Sequence, residues 1–504
     1  MEDHIKRARN WWFNELNGPR YIMSPMVGQS ELAFRELCRE HGTELCYTPM
    51  FISSVFVESK SYRKKVWQTN KEDRPLIVQF CGNNAKTLLS AAKMVQNDCD
   101  AVDLNLGCPQ KVAERGQYGA FMMDRNHWPN IRKIVSTMSK GLTVPVTVKV
   151  RVFEDVNKTL AYCEMLQESG ASLLAIHPRT RGQREEVMAD WAQIRRVKQR
   201  LRIPVIANGD CWHAEDVWLC MCQTGADGVM SAQGLLHNPA LFEPLANARK
   251  SLPKPSSAIA PTLETVLPRH LRRRRALSAF ATVSLATSFK SGRGSKKTAT
   301  SFSLPKCVAG GGRSSFLSTP QDLEMRFVLA EEYLVCCQNS PPCDPSIVRR
   351  HLFFILFDSF HANLDIYDNL FESKGNAEWK TIITTLRDRA SLGEPHPDAK
   401  GRLLKKKRTF RRDGTLAPPP WPVGGGGFNV SKKKKKSVDG TSLQVHEAIT
   451  KTKKKKKKKK RKTIPTRDNK KNKKKKKKKK QNLDVFGDDQ NDGNGSFMSS
   501  VGLF

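Results

Sequence analysis

The sequence contains no apolar run that approaches the roughly 18 residues of a membrane-spanning helix. Its first residues, MEDHIKRARNWWFNEL, also lack the apolar core of a signal peptide. The 13 cysteines form no CxxC pair and show no regular spacing, so neither a disulfide framework nor a zinc site is predicted. Together these absences favour a protein of the reducing cytoplasm or nucleus, without membrane segments or metal.

Acidic residues are scarce in two parts of the chain. The net charge is +38, yet residues 401–504 carry 34 Lys and Arg against 8 Asp and Glu, and residues 251–320 carry 12 against 1. The remaining stretches are therefore close to neutral. Because runs of like charge repel one another and stay solvated, we expect the basic parts to act as interaction arms or as a nuclear-import signal.

Short apolar runs alternate with segments of helical spacing from residue 20 to about residue 244. Eight such units, with Gly, Pro, Asn or Asp at or near the ends of the runs, predict a (β/α)8 TIM barrel with parallel strands. An open doubly wound sheet is the structural alternative, although no GxGxxG follows the first run. The predicted strands are RYIMSP (20–25), ELCYTPM (44–50), PLIVQF (75–80), AVDLNLG (101–107), PVTVKVR (145–151), SLLAIHP (172–178), PVIANGD (204–210) and DGVMSA (227–232).

The composition changes abruptly after the barrel. A stretch rich in Ser, Arg, Pro and Gly comes first, three helical stretches follow, and the last part is of low complexity, with runs of eight Lys at 453–460 and 473–480. The predicted segments are an N-terminal extension (1–19), the barrel (20–250), a disordered insertion or linker (251–320), a small all-α domain (321–390) and a disordered Lys-rich tail (391–504).

Polar or ionisable residues follow most of the predicted strands. In a (β/α)8 barrel the active site lies at the C-terminal ends of the strands. A single lysine there is usually solvated and a single cysteine is usually part of the core, but their joint occurrence indicates one site. The strand ends supply Pro25, Met26, Gln79, Asn105, Cys108, Lys149, Arg151, His177, Arg179, Asn208, Gly209, Asp210, Ala232 and Gln233.

This set of residues favours a flavin ligand. Lys149 would place a cation in a mostly apolar pocket, and Gln79 and Asn208 offer amide donors and acceptors. Gly209 and residues 232–234 follow the seventh and eighth strands, where barrels often bind phosphate through backbone N–H groups. A planar ring with one phosphate suggests FMN, and a cation beside the N1–O2 edge would stabilise the anionic reduced flavin.

Seven motifs, in this order along residues 20–244, resemble the tRNA-dihydrouridine synthase family. The most specific is the stretch GCPQKVAERGQYGA. The segment YTPMF (47–51) resembles most the eukaryotic branch that acts on uridines 16 and 17 of the tRNA D-loop. The helical stretch 323–389 resembles the RNA-contacting helical domain of that family. The motifs are SPMVG (24–28), QFCG (79–82), DLNLGCPQKVAERGQYGAFMM (103–123), VKVR (148–151), IHPRTR (176–181), DW (190–191) and ANGD (207–210).

The resemblance implies FMN as cofactor, NADPH as reductant and tRNA as partner, and we expect a monomer. It assigns Cys108 as the general acid and places Asn105, Arg151 and Arg179 against the target base. The family commonly has Gly-Arg where this chain has Ala232–Gln233, so phosphate binding should depend more on backbone donors. The implied cofactor-binding residues are Pro25, Met26, Val27, Gln79, Lys149, His177, Asn208, Gly209, Asp210, Ala232 and Gln233.

The implied reaction is consistent with these residue types. Reduction of the C5–C6 bond of uracil needs a hydride at C6 and a proton at C5, and a thiol with an ordinary pKa of about 8.5 is still protonated near neutral pH. Two other functions share part of the pattern. They are a dihydroorotate- or dihydropyrimidine-type flavin dehydrogenase that acts on free bases, and a non-catalytic RNA-binding protein that uses its lysine runs.

Overall fold

The computed structural model describes residues 1–250 and 320–392. The predicted linker and the predicted basic tail therefore lie outside the described residues, apart from the few positions that begin or end helices at 320 and 391–392. In the described part, no helix has the length and apolar character needed to cross a bilayer. The same two ranges contain no group of three or more His, Cys, Asp or Glu side chains that could hold a metal ion.

Nine parallel strands form the core of the N-terminal part, in the order β1-β9-β8-β7-β6-β5-β4-β2, with β3 beside the end of β4. All eight predicted strands are present, and the second is divided into the short strands β2 and β3. The strands are β1 (Tyr21–Met23), β2 (Cys46–Tyr47), β3 (Phe51–Ile52), β4 (Leu76–Cys81), β5 (Ala101–Leu106), β6 (Val146–Arg151), β7 (Leu173–His177), β8 (Val205–Asn208) and β9 (Gly228–Ser231).

The sheet closes on itself between β1 and the residues that lead into β2. Ile22 forms a parallel bridge with Leu45, and the Met23 N–H donates to the Leu45 carbonyl oxygen at 2.9 Å. Closure distinguishes a barrel from an open doubly wound sheet, so the predicted (β/α)8 fold is confirmed.

Helices follow the strands on the outside of the barrel, as the spacing of apolar residues predicts. Most of them bury an apolar face, such as Ile131, Ile134, Val135 and Met138 in the helix of 14 residues after β5. The helices are α1 (Glu2–Asn10), α2 (Leu32–Glu40), α3 (Ser53–Glu58), α4 (Lys60–Val66), α5 (Ala85–Lys93), α6 (Lys111–Arg115), α7 (Trp128–Gly141), α8 (Val156–Glu168), α9 (Trp191–Arg200), α10 (Ala214–Thr224), α11 (Gln233–His237) and α12 (Glu243–Lys250).

The first residues of the chain cover the bottom of the barrel. After α1, a π-helical turn (Trp11–Glu15) places Trp11 and Trp12 in a core of their own. That core contains apolar residues of the strands and of the residue before β2: Ile22, Leu45, Tyr47, Ile77, Ala101, Leu173, Ala175, Ile206 and Met230. The stretch 1–19 therefore contributes directly to the packing of the barrel interior.

Five further helices form the predicted all-α region. Its aromatic residues pack on one another, for example Phe353 against Phe360 and Tyr367. The helices are α13 (Pro320–Asn339), α14 (Pro345–Ile355), α15 (Phe357–Ala362), α16 (Leu364–Glu372) and α17 (Asn376–Ser391).

This helical region packs directly against α2 of the barrel around a buried carboxylate. Glu31 accepts a hydrogen bond from the Tyr333 hydroxyl at 2.7 Å, and its other oxygen lies 3.0 Å from His351 Nε2. Phe34 stacks on His351 with ring centroids 4.0 Å apart. Although burial raises the pKa of Glu31, the His351 charge and these hydrogen bonds lower it below its usual value. The contact joins residues about 300 positions apart into one core.

Candidate active site

The inside of the barrel has two layers of opposite character. Side chains alternate between the two faces of a strand, so residues two apart share a face. Toward the C-terminal ends of the strands, the inward-facing positions change from apolar to polar side chains. This upper layer comprises Gln79, Asp103, Asn105, Thr147, Lys149, Arg151, His177 and Asn208. Six of these eight are predicted site residues, and the barrel brings them together.

A chain of hydrogen bonds runs through the upper layer from Asp103. One carboxylate oxygen accepts from the Thr147 hydroxyl at 2.6 Å, and the other accepts from Gln79 Nε2 at 2.9 Å. Gln79 Oε1 then accepts from Asn105 Nδ2 at 3.0 Å. Burial raises the pKa of Asp103 to about 6, against the lowering effects of these donors and of Lys149. Sequence reasoning missed Asp103 and Thr147, although both lie two residues before a predicted site residue.

Cys108 lies in the loop after β5 and is held by its backbone. Its N–H donates to Asn105 Oδ1 at 2.9 Å, and its carbonyl oxygen accepts from the Ala120 N–H at 3.0 Å. Gly119 has φ of +64°, and a Cβ there would lie 2.7 Å from the Cys108 carbonyl oxygen, so this close approach requires glycine. Burial raises the pKa of the Cys108 thiol, while the Gln110 backbone and the charges of Arg151 and Lys149 oppose that rise. The group is therefore a neutral thiol near pH 7.

Lys149 extends from β6 into the upper layer and is partly buried. Burial and the nearby Arg151 lower its pKa to about 8, while Asp103 and Cys108 act in the opposite direction. Within residues 1–250 and 320–392, no carboxylate lies within ion-pair distance of its ammonium. The site thus holds a cation that is available to a ligand.

Two buried arginines lie beside Lys149. Arg151 donates to the carbonyl oxygens of Gly107, at 2.9 Å, and of Thr180, at 3.0 Å. Burial and the charge of Arg179 lower the pKa of Arg151 to about 10, which leaves it charged at neutral pH. Arg179 itself forms an ion pair with Asp210. Through these contacts both arginines hold together the loops at the C-terminal opening of the barrel, here called its mouth. They also give this opening a positive potential.

His177 is neutral in this setting. Burial and the charges of Arg151, Lys149 and Arg179 lower its pKa well below the usual value. Its Nε2 lies 2.9 Å from Arg179 Nη1, and a guanidinium can only donate, so Nε2 accepts and the ring proton is on Nδ1. His177 can therefore offer one N–H to a ligand.

The end of β8 forms a tight turn against β7. Gly209 has φ of +123°, and a Cβ there would lie 3.0 Å from Ala189 and 3.2 Å from the His177 ring. Asn208 is buried, and its amide donates to the Met230 carbonyl oxygen at 2.9 Å. Only glycine allows this approach, which leaves the backbone of the turn uncovered by a side chain.

The ends of β9 and β1 complete the mouth. Ala232 precedes α11, and Gln233 Nε2 donates to Glu185 at 2.7 Å. At the end of β1, Pro25 and Met26 are buried while Val27 is 37% exposed. Sequence reasoning placed these residues on the right strand ends, and their predicted contacts with a cofactor stay predictions.

One arginine of the helical region reaches the mouth of the barrel, outside the set of residues that the strand ends supply. A Cβ at Gly28, next to the SPMV segment, would lie 3.4 Å from Arg350 Nη1. Burial lowers the pKa of Arg350, against the opposing charges of Glu31 and Asp344. Because Arg350 lies in α14, no local sequence pattern places it beside β1.

A closed parallel barrel with this polar upper layer defines the class of (β/α)8 barrels whose active site lies at the C-terminal ends of the strands. The chain belongs to the dihydrouridine synthase family: the family model described as Dihydrouridine synthase (Dus) matches residues 22–283, about half of its length. The resemblance seen in the sequence motifs is thereby confirmed.

Several relatives carry related names. A rat protein named tRNA-dihydrouridine(16/17) synthase NAD(P)(+)-like is 47% identical over 237 residues, covering 46% of this chain and 54% of the rat protein. The Schizosaccharomyces pombe tRNA-dihydrouridine(16/17) synthase is 46% identical over 239 residues, covering 46% and 59%. A human tRNA-dihydrouridine(20a/20b) synthase-like protein is 38% identical over 227 residues, covering 44% and 70%. The chain thus spans a little over half the length of the first two of these relatives.

Among solved structures, morphinone reductase in complex with tetrahydroNAD matches 49% of this chain and 90% of its own chain. The sequence identity is 13% and the TM-score is 0.32, so the match contributes nothing to the assignment of function.

Proposed function

We propose that this chain reduces uridine to 5,6-dihydrouridine in the D-loop of tRNA, at position 16 or 17, with FMN as bound cofactor and NADPH as reductant. Family membership supports the reaction, and the names of the 45–47% identical relatives support the position. The observation that carries the proposal is the neutral thiol of Cys108, held by its backbone at the barrel mouth beside the cations Lys149 and Arg151.

The residues of the mouth fit a flavin mononucleotide. Lys149 and the Nδ1–H of His177 would bind the ring and its ribityl chain with Gln79, and Pro25, Met26 and Val27 would contact the ring face. The bare backbone at Gly209, with Asn208, Asp210, Ala232 and Gln233, would bind the phosphate. Once bound, FMN supplies the hydride that uracil C6 requires.

Cys108 would supply the proton. Addition at C6 leaves negative charge on C5 and on the O4 carbonyl of uracil, and without a proton at C5 the step simply reverses. The Cys108 Sγ–H, which burial keeps protonated, would transfer that proton to C5. General acid catalysis of this kind typically contributes about 10²–10⁴-fold to the rate.

The cations beside Cys108 would stabilise the charge that develops on the base. The site has a net charge of +1: three cations (Lys149, Arg151 and Arg179) face two carboxylates (Asp103 and Asp210), and His177 is neutral. Fixed positive charge in a partly buried site stabilises a developing enolate without reorganisation of solvent. Asn105 would accompany the two arginines in facing the base.

The target base must leave the folded tRNA to reach this site. Flipping an unpaired loop base costs a few kcal/mol, and phosphate contacts would offset that cost. The helical region supports this part of the proposal because it packs beside the mouth and brings Arg350 to Gly28. The Lys runs of the tail would add salt-dependent affinity or direct the protein to the nucleus.

Purified full-length protein, supplied with FMN and NADPH, tests the proposal on unmodified tRNA. We expect dihydrouridine at position 16 or 17 by mapping, and no reduction of free uracil. Reduction of free uracil would favour a dihydropyrimidine-type dehydrogenase. A protein without a flavin absorption spectrum that still binds tRNA would favour a non-catalytic RNA-binding protein.

A further inference from the structure

The carboxylate of Asp103 is fully buried below the proposed reaction centre and enters the function proposed above only through its charge. It lies on β5, two residues before Asn105, and it faces the barrel interior. Its hydrogen bonds begin a continuous chain, from Asp103 to Gln79 to Asn105, that ends at the backbone N–H groups of Gly107, at 3.0 Å, and Cys108, at 2.9 Å.

The direction of this chain is fixed at both of its ends. A primary amide has one accepting and one donating end, whereas an ionised carboxylate only accepts. Gln79 must therefore present Nε2 to Asp103, which leaves Oε1 for Asn105 Nδ2, which in turn leaves Asn105 Oδ1 for the two N–H groups. The N–H groups of Gly107 and Cys108 fix Asn105 in the same sense, because they can only donate to its Oδ1. With no acceptor at position 103 the buried Gln79 NH₂ group loses its partner. Gln79 can then satisfy that group only by turning away from Asn105 Nδ2, which loosens the Asn105 side chain that holds the Cys108 N–H.

We propose that Asp103 is a positioning residue that anchors the Gln79 amide and, through it, the Asn105 side chain, and thereby holds the backbone of Cys108 in place. This inference rests on the proposed function for its catalytic consequence, but the positioning itself is a property of the chain. The Cys108 backbone is held at two points, its N–H by Asn105 and its carbonyl oxygen by Ala120. Loss of the first would leave the thiol on a loop fixed at one point.

Two substitutions at Asp103 separate this role from that of a counter-charge for Lys149. Asp103→Asn removes the charge but keeps an oxygen for Gln79 Nε2, and its NH₂ can donate to the Thr147 oxygen. Asp103→Leu has a similar size and removes the acceptor. Thr147→Val is the matched control, because it removes the other hydrogen bond of the same carboxylate without touching the route to Cys108.

The readout that does not depend on turnover is the reactivity of the Cys108 thiol. Full-length protein, with and without FMN, is treated with iodoacetamide, and the alkylation of each cysteine is followed by mass spectrometry of its peptide. The exposed Cys222 serves as internal reference. Turnover of tRNA uridine is measured in parallel.

We expect Asp103→Leu to change the alkylation rate of Cys108 several-fold relative to Cys222 and to lower kcat about 100-fold, as a displacement of about 1 Å can do. Asp103→Asn and Thr147→Val should remain close to the unchanged protein in both measurements. If Asp103→Leu does not fold, Gln79→Met interrupts the same chain one step later and should change Cys108 alkylation in the FMN-free protein.

Three results would overturn the proposal. If Asp103→Asn changes Cys108 alkylation and kcat as much as Asp103→Leu does, the effect is due to the lost charge. If Thr147→Val changes them equally, the effect is due to a general disturbance of the barrel interior. Unchanged Cys108 alkylation in Asp103→Leu, or in Gln79→Met, would show that the chain of hydrogen bonds does not position the thiol. If the unchanged protein makes no dihydrouridine, the proposed function fails while the alkylation rates still decide the positioning.

Discussion

The barrel interior has a lower half, which is the core around Trp11 and Trp12, and an upper half, which is the polar upper layer. The same strands form both halves, but with opposite kinds of side chain. The lower half is closed by Trp11 and Trp12 and is packed with apolar residues and one tyrosine. The upper half holds the charged groups of Asp103, Lys149 and Arg151 among polar side chains. Burial of apolar surface stabilises the fold, whereas buried charge is costly unless it is paired. We therefore expect substitutions in the lower half to lower the stability of the fold, and substitutions in the upper half to lower enzymatic activity.

Cys108→Ala should show the largest effect and change activity alone. The protein should bind FMN and tRNA and accept electrons from NADPH as before, because the role proposed for the Cys108 side chain is proton transfer alone. Dihydrouridine formation should slow at least about 100-fold, since the proton donor is missing. Single-turnover measurements of flavin reduction and of uridine reduction would separate the two steps. Wild-type dihydrouridine formation would mean that the proton comes from another group.

Trp12→Ala should produce the opposite pattern. Trp12 is completely buried, and truncation of such a side chain typically lowers the free energy of unfolding by about 3–5 kcal/mol. No partner for its indole N–H exists among the described residues, so the loss is one of packing. Urea unfolding measures it, with Trp12→Phe as the milder control. At temperatures where the variant is folded, its kcat should be unchanged, and a large drop in kcat would contradict the division between the halves.

Much of the upper half could be predicted from the sequence, because strand ends in a barrel converge whatever the details of the loops. Asp103 and Thr147 were not predicted because they lie two positions before the strand ends, although side chains two residues apart face the same side of a strand. The role of Trp11 and Trp12 was missed because no β-pattern marks them. The contacts of Glu31 with Tyr333 and His351 depend on tertiary docking over about 300 positions, which local patterns do not encode.

Lys149→Met tests the cation of the upper half and should have an intermediate effect. Its pKa of about 8 means that the ammonium loses its charge as the pH rises through that value. We therefore expect flavin affinity and the rate of flavin reduction by NADPH to decline above pH 8 in the unchanged protein. Lys149→Met should be impaired at pH 7 and should lack this decline. An identical pH profile in both proteins would mean that another group titrates.

The smallest effect should come from the contact between barrel and helical region, which belongs to neither half. His41 Nδ1 lies 2.9 Å from Glu243, and its Nε2 lies 2.7 Å from Glu332 of α13. Burial opposes the charged imidazole, but hydrogen bonds to Glu243 and Glu332 raise the pKa of His41 above its usual 6.5. A raised pKa in the folded state stabilises the fold below pH 6.5, and this contribution disappears as the pH rises through the higher folded value.

Both glutamates are 38% exposed, so solvent limits the contribution to less than about 1 kcal/mol. Urea unfolding at pH 6 and pH 8 should show a loss of stability in the unchanged protein that is smaller in His41→Gln, which keeps a hydrogen bond but cannot carry the charge. The buried Glu31 acts in the opposite sense, because its lowered pKa gives stability that is lost only as the pH falls through the folded value. Equal pH dependence in His41→Gln and the unchanged protein would assign the effect to a different group.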